Sequence, residues 1–176
     1  MGFSLFGRKQ KPDNNTNVQE NTGAVSEAVN DSYSDVLLLD NIRVDLKSVS
    51  KDEAIEMAGQ VLAESGFVLP EYIEAMKERE KVLSTYLGGG IAIPHGVGAA
   101  KDKILRTGIC ILQFPEGVVF GEDKIAHLVV GIAGKGKEHL TILSNLAEFI
   151  QEGEAIKNMF TEKDKGKIYT AFTEKL

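Results

Sequence analysis

Residues 107–133 read TGICILQFPEGVVFGEDKIAHLVVGIA, and the two apolar runs inside this stretch decide the fold class. Thr107 to Phe114 and Ala126 to Ala133 have the length of strands. They are apolar almost without interruption, lacking the alternation of a strand with one wet face. Such strands need cover on both faces, and the chain around them has helical patterns to supply it. The reading is a layered α/β fold. Pro115-Glu116-Gly117 reads as a turn between the runs, and Val118 to Phe120 as a further short extended piece.

Working outward toward the N-terminus, Ile91-Ala92-Ile93 is a short buried strand stopped by Pro94, which places His95 just past a strand end. Gly88-Gly89-Gly90 precedes it and predicts a loose turn. Pro70 suits the first turn of a helix with Tyr72, Ile73, Met76 and Leu83 on its buried side; this helix carries Arg79-Glu80. Ser50 and Glu53 form a capping box. The helix it opens has Ala54, Ile55, Ala58, Val61 and Leu62 at helical spacing, and Gly66 sits where a C-terminal cap belongs. Val36 to Leu39, then Ile42, Val44 and Leu46, read as extended segments.

Toward the C-terminus, Leu140, Leu143, Leu146, Ala147 and Ile150 mark an amphipathic helix from Glu138. One or two shorter helices follow Gly153 and run to Leu176. Residues 1–35 are rich in Asn, Gln, Glu, Ser and Thr and cannot bury enough surface to offset ordering, so they read as a disordered tail. Phe3, Leu5, Phe6, Arg8, Lys9 and Lys11 offer this tail a weak membrane or partner contact. No internal repeat is present.

Composition narrows the chemistry. The chain has 176 residues, 43% of them hydrophobic, which suffices for one domain with a real core. Twenty Lys and Arg against 26 Asp and Glu leave a net charge of −6, the wrong sign for binding a nucleic-acid backbone. The longest apolar runs fall far short of the roughly 20 residues a transmembrane helix needs. Neither a signal-peptide core nor a myristoylation pattern is found at the start, where Phe6 replaces the required hydroxyl. A single cysteine, Cys110, excludes an internal disulfide and a Cys-x-x-Cys pair. These features fit a cytoplasmic protein.

Few groups remain for chemistry near neutral pH. The run Gly131-Ile-Ala-Gly134-Lys135-Gly136-Lys137 lies between a strand and a helix but lacks both the P-loop spacing and the third glycine of a dinucleotide fingerprint, because His139 stands there. It reads as a tight strand-to-helix turn. Cys110 sits mid-strand as a small filler, and His127 begins an apolar strand with no carboxylate or second imidazole nearby in sequence. No pair of histidines has helical spacing, so no metal site is supported. His95 differs, because Pro94 and Gly96 bracket it at a strand end, where ligand-facing groups of α/β proteins collect. On position alone it reads equally as a reactive group or a structural histidine.

What distinguishes it is its company. The block Ala75-Met76-Lys77-Glu78-Arg79-Glu80, Ser84-Thr85-Tyr86-Leu87-Gly88 and Gly90-Ile91-Ala92-Ile93-Pro94-His95-Gly96 resembles the signature region of the mannitol/fructose class of enzyme IIA domains of the bacterial sugar phosphotransferase system. Leu128 to Ala133, then Glu138-His139-Leu140 and Leu143 to Ala147, resemble the family's second block, with the mannitol branch the nearest match. The resemblance runs from about Val36 to the C-terminus.

It implies one domain over residues 36–176, with a mixed central sheet covered by helices on both faces. It also implies a phosphocarrier that accepts a phosphoryl group from HPr on His95 and passes it to an enzyme IIB, with no cofactor and no metal. Arg79 matches the family's active-site arginine, whose planar guanidinium can hold two phosphoryl oxygens. His139 matches a second histidine, in the first turn of a helix, and Thr85 a hydroxyl able to contact His95 or the phosphoryl group. Val97 stands where the family often has threonine, so a hydroxyl contact there is absent. The same residues would serve a second role equally well, that of a regulatory module controlling a partner through histidine phosphorylation.

Overall fold

A computed structural model describes residues 35–135 and 138–174, with the side chains of Glu138, His139 and Thr141 outside the description. The reading of residues 1–35 as a tail therefore falls almost wholly outside the described residues. The element order is β1 (Leu37–Arg43), α1 (Lys51–Glu64), α2 (Tyr72–Val82), β2 (Tyr86–Gly88), β3 (Ile91–Ala92), a 3-10 helix (Gly98–Lys103), β4 (Gly108–Gly121), β5 (Lys124–Ala133), α3 (Glu138–Gln151), α4 (Glu154–Asn158) and α5 (Lys165–Thr173).

The strands form one five-stranded mixed sheet in the order β1-β4-β5-β3-β2. β4 and β5 pair antiparallel at its centre, from Gly108 opposite Ala133 to Gly121 opposite Lys124. β1 runs parallel to β4, β3 runs parallel to β5, and β2 closes the far edge antiparallel to β3. Side chains on β4 alternate between two cores. Cys110, Leu112 and Phe114 pack with Ala54, Ile55, Ala58 and Leu62 of α1 and with Tyr72 and Met76 of α2. Ile109 and Ile111 pack with Ile142, Leu146 and Phe149 of α3 and with Ile168 and Phe172 of α5. Both faces are thus covered, which explains the nearly continuous apolar runs Gly108 to Phe114 and Leu128 to Ala133.

Local signals fix the ends of α1. Ser50 Oγ accepts the Glu53 N–H at 3.3 Å and Glu53 Oε2 accepts the Ser50 N–H at 2.9 Å, completing the capping box. At the other end Gly66 takes φ +70°, with its N–H on the Ala63 carbonyl and the Phe67 N–H on the Leu62 carbonyl, a Schellman motif.

Three expectations need correction. Pro115-Glu116-Gly117 is not a turn but a bulge inside the continuous strand β4. Gln113 faces Leu128 and Val118 faces Ala126, so β4 carries extra residues there, and the real reversal lies between Gly121 and Lys124. Proline donates no ladder hydrogen bond, and Gly117 takes φ +78°, which is how the strand absorbs the insertion without ending. Leu83 is 65% exposed rather than buried, because it is the extended residue at which α2 stops. On α3 the expected Leu143, Leu146 and Ile150 do pack against the sheet, joined by Ile142 and Phe149, but Leu140 is 59% exposed at the helix start.

The α1 layer approaches the sheet closely where glycine permits it. A Cβ on Gly131 of β5 would lie 2.7 Å from Cys110 Sγ and 3.0 Å from Ala58 Cβ. The Cys110 thiol donates to the Ala58 carbonyl at 3.3 Å, and burial pushes its pKa up to about 12, so it serves as packing material. Gly131→Ala should accordingly destabilise the domain by about 1–3 kcal/mol, since neither Ala58 nor Cys110 can yield without moving α1 off the sheet. Chemical denaturation of the variant beside the wild type measures this directly.

Candidate functional site

The carboxyl end of β3 runs straight into Pro94 and His95. The Ile132 N–H of β5 donates to the Pro94 carbonyl at 3.0 Å, and His95 itself forms an isolated parallel bridge with Ile132. The backbone of His95 is therefore part of the sheet, although the strand proper ends at Ala92. Its ring turns back on its own chain, with Nδ1 2.7 Å from the Ile93 carbonyl oxygen. A carbonyl can only accept, so this contact requires the proton on Nδ1. In the neutral ring the lone pair then falls on Nε2.

His95 lines a cavity of about 340 Å³ together with Tyr72, Val97, Lys101, Leu140 and Leu143, at the ends of β3 and β5 and beside the first turns of α3. Tyr72 is fully buried at the start of α2. Its hydroxyl donates to the Ile132 carbonyl at 2.9 Å and accepts the Gly96 N–H at 2.8 Å. Sequence reasoning assigned Tyr72 to the core only. Nothing in the apolar spacing of α2 distinguishes a ring that merely packs from one whose hydroxyl reaches the residue after His95.

Thr85 is buried, and both its groups are taken by Glu80. Glu80 Oε2 accepts the Thr85 N–H at 2.6 Å and its hydroxyl at 2.7 Å. The Glu80 side chain is only 2% exposed, and its other oxygen faces Lys51 Nζ at 3.4 Å. The Thr85 carbonyl in turn accepts the Ile93 N–H at 3.0 Å. The Thr85 hydroxyl thus points to Glu80, and Thr85 reaches His95 through the backbone of Ile93. The charged neighbour of Arg79 is the hidden component here, since a Glu on a helix face usually reads as solvated.

Arg79 lies half-buried in the last turn of α2, where Nη1 donates to the Leu83 carbonyl at 2.6 Å. It sits at the α2–β2 corner and is not part of the cavity lining named above. His139 lies in the first turn of α3, next in sequence to Leu140, which does line the cavity; its side chain falls outside the described residues. The Gly88-Gly89-Gly90 turn is tightly held instead of loose. All three glycines have positive φ, and the Gly90 carbonyl accepts from both His127 and Leu128 N–H groups. His127 is remote in role, stacked on Phe160 with Nδ1 3.0 Å from the Pro115 carbonyl oxygen. Among the described residues no three His, Cys, Asp or Glu side chains are placed to hold a metal ion. No described helix is long and apolar enough to cross a membrane.

A family model described as phosphoenolpyruvate-dependent sugar phosphotransferase system, EIIA 2, matches residues 35–175. The chain is 46% identical over 139 residues to the mannitol-specific phosphotransferase enzyme IIA component of Bacillus subtilis, covering 79% of this chain and 97% of that protein. It is 48% identical over 136 residues to the mannitol-specific EIICBA component of Pasteurella multocida, covering 76% of this chain but only 22% of that much longer protein. Among solved structures it is similar to the complex of enzyme IIAMTL and phosphorylated enzyme IIBMTL from Escherichia coli. That likeness has a TM-score of 0.74 at 38% identity, covering 79% of this chain and 99% of that one.

The buried Glu80–Thr85 contact makes a direct stability prediction. Glu80→Ala leaves two buried Thr85 donors unpaired and should cost about 2 kcal/mol or more, whereas Glu80→Gln keeps an acceptor and should cost less. Urea unfolding of the two variants gives the ranking.

Proposed function

The chain belongs to the EIIA 2 family of the phosphoenolpyruvate-dependent sugar phosphotransferase system, and on that premise we propose that it carries a phosphoryl group from HPr to an enzyme IIB through His95, in a system that takes up mannitol. The observation that carries this reading is the His95 ring itself, anchored through Nδ1 to the Ile93 carbonyl beside a cavity at the strand ends. The names of the relatives support mannitol, and the solved complex supports an enzyme IIB as the acceptor. Such a relay belongs on the cytoplasmic side of the membrane.

The chemistry follows from the tautomer. With Nδ1–H committed to Ile93, the Nε2 lone pair attacks phosphorus while the donor's bond to that phosphorus breaks. The ring then carries the phosphoryl group on Nε2 and keeps its proton on Nδ1, still donating to the carbonyl. In the second half the acceptor attacks phosphorus and the Nε2–P bond breaks, returning the electron pair to the ring. The transition state is loose, with charge spread over three oxygens, so placement and nearby donors matter more than a base.

Three residues are the candidates for assisting His95. Arg79 spends one guanidinium nitrogen on Leu83 and has further N–H groups for phosphoryl oxygens. His139 and the first amides of α3 belong to a helix start, where an anion is favoured. Thr85 contributes by fixing Ile93, and therefore the Nδ1 contact, more than through its own hydroxyl.

Two measurements test the proposal. Incubated with phosphoenolpyruvate, enzyme I and HPr, the wild type should gain one acid-labile phosphoryl group and His95→Ala none; uptake by His95→Ala defeats the assignment. Arg79→Lys keeps the charge but loses the planar fork. It should slow single-turnover transfer to enzyme IIB by about 10-fold or more, the range of one removed transition-state donor. An unchanged rate would remove Arg79 from the site.

A further inference from the structure

We infer that Tyr72 is a positioning residue for His95, setting the pose and tautomer of the imidazole through the Gly96 amide and the Ile132 carbonyl. The inference rests on the proposed role of His95 and deepens it.

The geometry is a closed frame. His95 has one backbone neighbour on each side. Pro94, before it, is tied to β5 by the Ile132 N–H. Gly96, after it, is tied by its N–H to the Tyr72 hydroxyl, and the same hydroxyl donates its single proton to the carbonyl of that same residue, Ile132. One residue of β5 thus serves both sides of His95, through its N–H on one and through its carbonyl and a phenol on the other. Without the hydroxyl, Gly96 loses its side-chain tie, and the chain bearing His95 is left with its backbone bridge to Ile132 alone.

Sterics close the frame further. A Cβ on Gly96 would lie 2.7 Å from Tyr72 Cε2 and 3.1 Å from Ala100 Cβ, so the ring packs directly against the Gly96 backbone. Burial raises the Tyr72 pKa to about 12, which keeps the hydroxyl protonated, and therefore a donor, at every pH where transfer is measured. Both hydrogen-bonding roles of the oxygen are occupied by backbone. With its hydroxyl spent on backbone in this way, Tyr72 acts on His95 through Gly96 and Ile132.

The same frame explains the tautomer. The Nδ1 contact spans only two residues, from His95 back to the Ile93 carbonyl, so it survives only while the backbone from Ile93 to Gly96 keeps one shape. Glu80 and Thr85 fix that backbone at Ile93, and Tyr72 fixes it at Gly96. The two anchors come from opposite ends of α2, which makes this helix a brace spanning the reactive loop.

The test is Tyr72→Phe, which keeps the buried ring and deletes both hydrogen bonds. Imidazole nitrogen shifts of His95 should move from a dominant Nδ1–H tautomer toward a mixture. Single-turnover transfer should fall about 10-fold or more with the half-saturating concentration of HPr unchanged, the signature of lost orientation instead of lost docking. Unchanged tautomer and rate would overturn the inference.

Should Tyr72→Phe fail to unfold cooperatively, 3-fluorotyrosine at position 72 replaces it. That near-isosteric phenol has a poorer acceptor oxygen, so it should weaken the Gly96 contact and show the same tautomer shift at smaller amplitude; wild-type behaviour would equally overturn the inference. The tautomer measurement does not depend on phosphoryl transfer. A wild type that takes up no phosphoryl group would therefore defeat the proposed function while leaving the positioning role decided by the nitrogen shifts.

Discussion

Everything in this fold depends on the pairing of β4 with β5. From Gly108 to Phe114 and from Leu128 to Ala133 the two strands are buried on both faces, and the ladder between them supplies partners for backbone groups that water cannot reach. Two helical layers must then cover the sheet, α1 and α2 on one side and α3 and α5 on the other. With both faces covered, groups that meet solvent and partners collect at the strand ends. The cavity beside His95 lies at such an end, where β3 stops and the backbone of residues 94–96 still leans on β5.

Polar residues buried among the described residues are few and serve as connectors. Gln113, wholly buried in β4, accepts the Asp45 N–H and donates to the carbonyls of Met159 and Glu162, tying the segment after β1 to that between α4 and α5. Asn41 donates to the Ile109 carbonyl and accepts the Ser65 hydroxyl, joining β1, β4 and the end of α1. Glu80 and Tyr72 do the same for the reactive loop. Each of these groups would be costly to leave unpaired at such depth, so each holds its partner segment in one position. Rigidity at His95 is therefore inherited from the core and not from the loop's own residues.

That arrangement suits a relay that must give up what it accepts. A phosphoryl group held too tightly would not pass on, so catalysis here favours orientation over strong ground-state binding. The acidic balance of the chain, −6 overall, is likewise compatible with brief encounters with partner proteins, where charge acts chiefly on the rate of association.

Much of this was legible in the amino-acid order. Continuous apolar runs announced strands covered on both faces, Ser50 and Glu53 announced the start of α1, and Gly66 its end. Proline and glycine around His95 announced a strand end, and the signature block identified the family and pointed to His95 as its candidate histidine. These are local signals, set by backbone sterics, caps and side-chain period within a few residues. The bulge at Pro115 to Gly117 escaped, because proline and glycine mark a turn and a bulge alike until a partner strand shows which. Part of the buried face of α3 escaped because apolar residues lie on more than one of its sides, and only the opposing sheet adds Ile142 and Phe149 and leaves out Leu140. Tyr72 and Glu80 escaped for the same reason. Tyr72 has its partner 60 residues away at Ile132, brought near only by the sheet, and Glu80 reaches Thr85, five residues on, only because the chain turns back at the α2–β2 corner. The amino-acid order by itself determined the layers and singled out His95 as the candidate; the tertiary structure alone decided which buried groups bond the backbone around it, because such hydrogen bonds leave no periodic trace along the chain.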